Sequence, residues 1–211
     1  MLNLYKHVDG GFSWHSRKDW LVPINHERRP IRQGGKIKKE LSDVCNLLDK
    51  ALKRKRTCIQ AGGNIGIWPI RFSKMFDRVI TFEPEPINYF CLAYNTKDID
   101  NIEIINAALS TYSQVDLLNR EENNCETFYT VPGTKIKTAR IDDYNLKDVD
   151  LIYLDIEGAE SEAINGARKT IERNWPLIGI EIIFDNPIDD LQSLGYEIMA
   201  VVGNDVIMEK S

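Results

Sequence analysis

Cysteine is scarce and scattered. Cys45, Cys58, Cys91 and Cys125 form no CxxC pair, and no histidine stands at metal-ligand spacing from them, which argues against a zinc module or a disulfide scaffold. Reduced thiols in a cytoplasmic protein are the expectation. No uncharged apolar run is long enough to span a bilayer. The first twenty residues lack the apolar centre and small-residue cleavage site of a signal peptide. A basic excess is missing too: 27 Lys and Arg against 32 Asp and Glu leave a net charge of −5, so the whole chain is no electrostatic trap for nucleic acid or anionic membrane. Its one basic run, Lys53-Arg54-Lys55-Arg56, reads as a solvated helix end complementing the helix dipole. Neither a repeat nor a low-complexity tract occurs. What remains is 211 residues, 43% hydrophobic and 28% charged, enough for one globular domain with a buried core.

Residues 1–36 show no sustained period and mix Trp14, Trp20, Pro23, Pro30 and all three histidines; the pattern predicts an irregular arm or lid. A single domain is expected over residues 37–211. Apolar positions at helical spacing predict a helix over 37–52. Strands and helices then alternate: strand 57–61, helix 67–75, strand 79–82, helix 87–95 and strand 102–107. An irregular insertion follows at 110–137, with short strands expected near 115–118 and 127–131. Beyond it come strand 150–155, helix 159–171, strand 177–184 and helix 189–194. This rhythm predicts a parallel sheet with helices on both faces. The C-terminus departs from it. Strands at 196–202 and 205–209 are separated only by Gly203-Asn204, so they must be antiparallel.

The segment Gln60-Ala61-Gly62-Gly63-Asn64-Ile65-Gly66 lies between the first buried strand and its helix. Glycine there lets the backbone turn sharply and approach a ligand. The following strand ends in Glu83-Pro84, and an acid at that place in nucleotide-binding sheets accepts hydrogen bonds from ribose hydroxyls. The loop reads GGNIG rather than the pyrophosphate-binding GxGxxG. S-adenosylmethionine carries no phosphate, and its ammonium and carboxylate suit a loop with a polar Asn64. Gln60, Ala61, Gly62, Gly63, Asn64, Gly66, Glu83 and Pro84 are therefore the candidate cofactor-binding residues.

Further motifs sharpen this reading. TCIQAGGNIGIWPIRFSKMFDRVITFEPEPINYFCLAYN at 57–95 is followed by NAALS at 106–110 and TARIDDY at 138–144. DLIYLDIEGAE at 150–160, NGA at 165–167 and GIEI at 179–182 complete the set. Over residues 57–185 the chain resembles the FkbM-type methyltransferase family. The resemblance implies a class I methyltransferase fold, α/β and Rossmann-like, with a mostly parallel seven-stranded sheet ending in the antiparallel hairpin. It also implies S-adenosylmethionine as methyl donor, S-adenosylhomocysteine as product, and transfer to a hydroxyl oxygen of a sugar or other small acceptor. Ala107 and Ala108 would join the cofactor site. One position departs from the family: Gln60 stands where an acid usually faces the cofactor ammonium. Weaker binding, or replacement of that charge by another carboxylate, is expected, and the glutamine form resembles phage-encoded members.

Ligands in such sheets sit beyond the carboxyl ends of the strands, where Asp155 and Glu157 fall. Asp155 is the candidate to border the methyl group, also as general base, with Glu157 shaping the site; both could instead serve only a helix N-terminus. Glu181, in a very apolar strand, is expected either to be hydrogen-bonded structurally or to face the acceptor. No metal is predicted. His7, His15 and His26 are read as structural or solvent-facing, His15 being the best alternative base. N-methylation, or a cofactor-binding module without turnover, are the competing readings. A small or glycan-like acceptor is expected as partner, and no nucleic acid.

Overall fold

The computed structural model describes residues 4–7, 20–23, 30–120 and 127–211, with side chains from residue 41 onward. The N-terminal arm is more regular than its sequence suggests. β1 (Leu4–His7) and β2 (Trp20–Pro23) pair antiparallel, and α1 spans Pro30–Ala51. The helix thus starts seven residues ahead of the periodic signal. Proline suits a first helical turn, while Gly34 and Gly35 mask the pattern without breaking the helix. His15, His26 and Trp14 lie outside the described residues.

The alternation that follows is β3 (Thr57–Ala61), α2 (Ile67–Phe72), β4 (Arg78–Phe82), α3 (Pro86–Thr96) and β5 (Ile102–Ile105). The 110–137 insertion and its flanks hold four strands: β6 (Ala108–Leu109), β7 (Gln114–Asn119), β8 (Phe128–Pro132) and β9 (Ile136–Ala139). After a 3-10 turn at Ile141–Tyr144 come β10 (Val149–Leu154), α4 (Glu160–Asn165) and α5 (Arg168–Asn174). The chain closes with β11 (Leu177–Glu181), α6 (Ile188–Ser193), β12 (Tyr196–Val202) and β13 (Asp205–Lys210). The helix expected over 159–171 is two helices, broken at Gly166 and Ala167. The Asp142 carboxylate accepts from the backbone N–H groups of Lys169 and Thr170 at 3.1 and 2.8 Å, capping α5 in its own right.

Seven strands form the central sheet in the order β12-β13-β11-β10-β3-β4-β5. β5, β4, β3, β10 and β11 run parallel, and β13 alone is inserted antiparallel between β11 and β12. Successive strand residues serve opposite faces. Ile59, Ile80, Ile152 and Leu154 point into one core with Ala163, Ile164, Ile171 and Leu191 of the later helices. Cys58, Val79, Leu151 and Tyr153 point into the other, against Val44 and Leu48 of α1 and Phe72 of α2. Helices therefore cover both faces, as parallel strands require. β6, β9, β7 and β8 make a separate four-stranded sheet beside this layer.

Leu151 is fully buried between β3 and β11 on the α1 face. Leu151→Ala is expected to cost about 3 kcal/mol through lost transfer energy and the cavity left behind. Urea unfolding checks this, and an unchanged midpoint would refute the two-core packing.

Candidate active site

The carboxyl ends of β4, β3, β10 and β11 lie along one sheet edge. β13 adds its amino end there, since Glu181 pairs with Asp205 across the antiparallel register. A cavity of about 300 Å³ opens along this edge. It lies at the topological switch between β3 and β10, where doubly wound sheets bind ligands.

The glycine loop is shaped by close backbone approaches. Gly62 has φ +83°, and a Cβ there would stand 1.8 Å from the Asp155 carbonyl oxygen. Only glycine allows β3 to leave the sheet so near β10. The N–H groups of Gly62 and Gly63 both donate to the Phe82 carbonyl, at 3.1 and 2.9 Å, turning the loop towards β4. Asn64 is left-handed (φ 45°), and its side-chain oxygen accepts the Ile65 N–H at 2.7 Å.

Ala61, Gly62 and Asn64 line the cavity, whereas Gly63 and Gly66 are buried behind it and shape the turn. Gln60 must be corrected. It is fully buried and does not line the cavity. Its amide donates to the Ala61 and Gly62 carbonyls at 2.8 and 3.0 Å and accepts from the Thr81 hydroxyl. It therefore locks the strand end rather than facing a ligand, because it shares Cys58's side of β3 while Ala61 has the other.

Glu83 stands where an acid was expected. Its carboxylate lines the cavity and accepts the Asn64 N–H at 2.7 Å on one oxygen and the Glu85 N–H at 2.8 Å on the other. A carboxylate has about four acceptor positions, so two remain for a ligand. Burial pushes its pKa up to about 7, with the two backbone N–H groups acting the other way. Pro84, Ala107 and Ala108 line the same end of the cavity. The Asn106 amide donates to the Glu83 carbonyl at 2.8 Å and holds the Glu83-Pro84 turn.

Three more acids stand further along the edge. Asp155, Glu157 and Glu181 each line the cavity, and each offers an oxygen within 4.8 Å of those of the other two. Burial raises both Asp155 and Glu181, which hydrogen-bond each other. The Trp68 indole N–H also donates to Asp155, favouring Asp155 as the ionised partner, with the shared proton on Glu181. Glu157 adopts a left-handed backbone (φ 57°), and the Arg120 guanidinium donates to its carbonyl at 2.9 Å.

Several residues of this wall escaped the sequence reading. Asp205 lines the cavity and accepts from the Tyr153 hydroxyl; its place depends on the hairpin register. Glu160 is buried, and its carboxylate accepts the Ile156 and Gly158 N–H groups, both at 3.0 Å, fixing the turn after Asp155. Its position two residues after Gly158, at a helix start, was the available signal. Leu117, Phe128 and Thr130 bring the accessory sheet into the wall. His7 lies in β1, and its side chain is outside the described part of the chain.

The profile of the methyltransferase FkbM domain matches residues 60–201. The chain belongs to that family. Among solved structures, it is similar to the FkbM methyltransferase of Methylobacillus flagellatus, with a TM-score of 0.51 and 19% identity over 74% of this chain. The match spans only 43% of that FkbM protein. SMU.1697c of Streptococcus mutans, solved in complex with SAH, gives a TM-score of 0.52 and 11% identity over 82% of this chain and 98% of its own. The Escherichia coli protein yhhF gives 0.51 and 11% identity, over 92% and 94%. These likenesses show the class I methyltransferase fold. No curated protein matches the chain in sequence. No helix among the described residues is long and apolar enough to cross a membrane.

Gly62→Ala in this FkbM domain is expected to lose at least about 2 kcal/mol of stability, since it adds a backbone collision to an unfavourable φ. Thermal unfolding measures it. A variant as stable as the parent would show that β3 and β10 do not approach so closely.

Proposed function

We propose that the cavity binds S-adenosylmethionine and that the protein transfers its methyl group to a hydroxyl oxygen of a small or glycan-like acceptor. The observation that carries this reading is the single cavity joining the Glu83 carboxylate at one end to the Asp155–Glu181 pair at the other, in an FkbM domain. The residues present fit the cofactor. Glu83 keeps two acceptor positions for the ribose hydroxyls. Asn64, Pro84, Asn88, Ala107 and Ala108 supply a mixed polar and apolar wall for the nucleoside. With Gln60 turned away from the cavity, Asp155 and Glu157 would be the carboxyl groups placed to hold the positive charge of the methionine end.

The bound cofactor supplies a methyl group already activated on a sulfonium sulfur. The protein's part is placement and proton removal. Asp155, ionised and fixed by Trp68 and Glu181, takes the acceptor's hydroxyl proton as general base. Glu160 holds the turn that aims it.

Calorimetry with S-adenosylhomocysteine tests the reading directly, and absence of binding overturns it. Glu83→Ala is expected to weaken that binding by about 1–3 kcal/mol through the lost charged hydrogen bonds. Glu83 holds a proton below about pH 7, so affinity is expected to rise with pH through that value, and Glu83→Gln should flatten the rise. Asp155→Asn is expected to abolish most turnover, followed as homocysteine-nucleoside release, with modest loss of cofactor affinity. An unaffected rate removes Asp155 as base.

A further inference from the structure

The accessory sheet adds a wall to the cavity that the seven-stranded layer alone would lack. On β8, Phe128 and Thr130 are two residues apart and share a face; Leu117 of β7 is the cross-strand partner of Thr130 and shares it too. All three line the cavity and are half-buried. The sheet therefore presents an aromatic ring, an isobutyl group and one hydroxyl to the space that also meets Asp155, Glu157 and Glu181.

The charge of that space is one-sided. Among the described residues, the cavity wall carries five carboxyl groups (Glu83, Asp155, Glu157, Glu181 and Asp205), Glu181 holding a proton shared with Asp155, and no basic side chain. The arginine beside this end is engaged elsewhere. Arg120 lies between the rings of Tyr129 and Phe184, 4.2 and 3.8 Å from their centroids, while donating to the Glu157 carbonyl at 2.9 Å. Tyr129 belongs to the opposite face of β8 from Phe128 and Thr130. Arg120 thus ties the accessory sheet to the Asp155–Gly158 turn without offering its charge to the cavity.

From this we infer that Leu117, Phe128 and Thr130 are the acceptor-selecting residues, and that they select a ring-bearing acceptor without negative charge. The inference rests on the proposed function. One side of the acceptor lies against Phe128 and Leu117, where burial of a ring face is favourable. Its hydroxyl edge meets the carboxylates as hydrogen-bond acceptors. A phosphate or carboxylate on the same ring would sit among like charges, with no cation among the described residues of the wall to offset them.

A matched pair of probes tests this on the full chain saturated with S-adenosylhomocysteine: phenyl β-D-glucopyranoside, which is neutral, and phenyl β-D-glucuronide, its carboxylate counterpart. Binding is read by NMR titration. The glucoside is expected to bind about tenfold or more tighter than the glucuronide. Phe128→Ala should weaken the glucoside about fivefold or more, with homocysteine-nucleoside affinity held within about twofold. Thr130→Lys places a cation in the wall and should narrow or invert the preference, which keeps the test decisive if Phe128→Ala does not fold. Equal binding of the two probes, binding of neither, or a preference unmoved by Thr130→Lys overturns the inference. Failure of the full chain to bind S-adenosylhomocysteine at all is a distinct result: it removes the proposed function, and this inference falls with it.

Discussion

The approach of β3 to β10 at their carboxyl ends governs the geometry of the cavity. The Asp155 N–H donates to the Ala61 carbonyl at 3.1 Å, and the Asp155 carbonyl occupies the space where a side chain on residue 62 would begin. With that gap closed, the loop can turn only towards β4, where the Phe82 carbonyl receives two successive N–H groups. The Asn64 N–H is thereby aimed at Glu83. A single missing Cβ thus orients the acid at one end of the cavity and seats Asp155 at the other.

Charge at the sheet edge is a second constraint, and it acts against the first. Parallel strands that end together bring Glu83, Asp155 and Glu181 into one partly desolvated place, where carboxylates repel and lose hydration. The structure answers differently at each. Glu83 is offset by two backbone N–H groups. Asp155 takes an indole N–H and shares a proton with Glu181. Glu160, buried nearby, accepts two N–H groups from the turn it supports. Backbone donors and one shared proton take the place of cationic side chains here, which leaves the cavity acidic.

How much of this was readable from residues depends on which period carried the signal. Strands β3, β4, β10 and β11 sit within a residue of the apolar runs that announced them, apart from the end of β11, because both faces of a buried strand must be apolar. The hairpin of β12 and β13 was legible in its two-residue turn, and with it the antiparallel strand of the class I fold. Glu83 and Asp155 were legible as acids ending such runs. Gln60 was misplaced because it was judged by its neighbours along the chain. The alternation of β3 puts Gln60 with Cys58, away from Ala61, and Thr81 on the adjacent strand takes its amide oxygen. Asp205 and the wall residues of β7 and β8 were illegible for another reason: their positions follow from register and from packing between sheets, which no local pattern encodes.

The division between the two sheets also separates the elements that build the buried cores from an element that chiefly lines the cavity. The glycine loop, Glu83 and the Asp155 turn belong to the seven-stranded layer, whose order the fold dictates. The β6–β9 sheet is not required to bury that layer's cores: among its residues only Leu109 and Ala139 appear in them. An element that contributes little to core burial yet lines the cavity is free to vary without unfolding the domain. Its attachment is correspondingly local, through Arg120 at the Glu157 carbonyl and through the Thr111 N–H, which donates to the Glu162 carboxylate at 3.1 Å. Both anchors fall on the segment from the Asp155 turn into α4, so the wall proposed to meet the acceptor is referenced to the residues proposed to act on it. If the proposed function holds, differences in acceptor are to be sought in this sheet, and differences in cofactor handling in the layer beneath it.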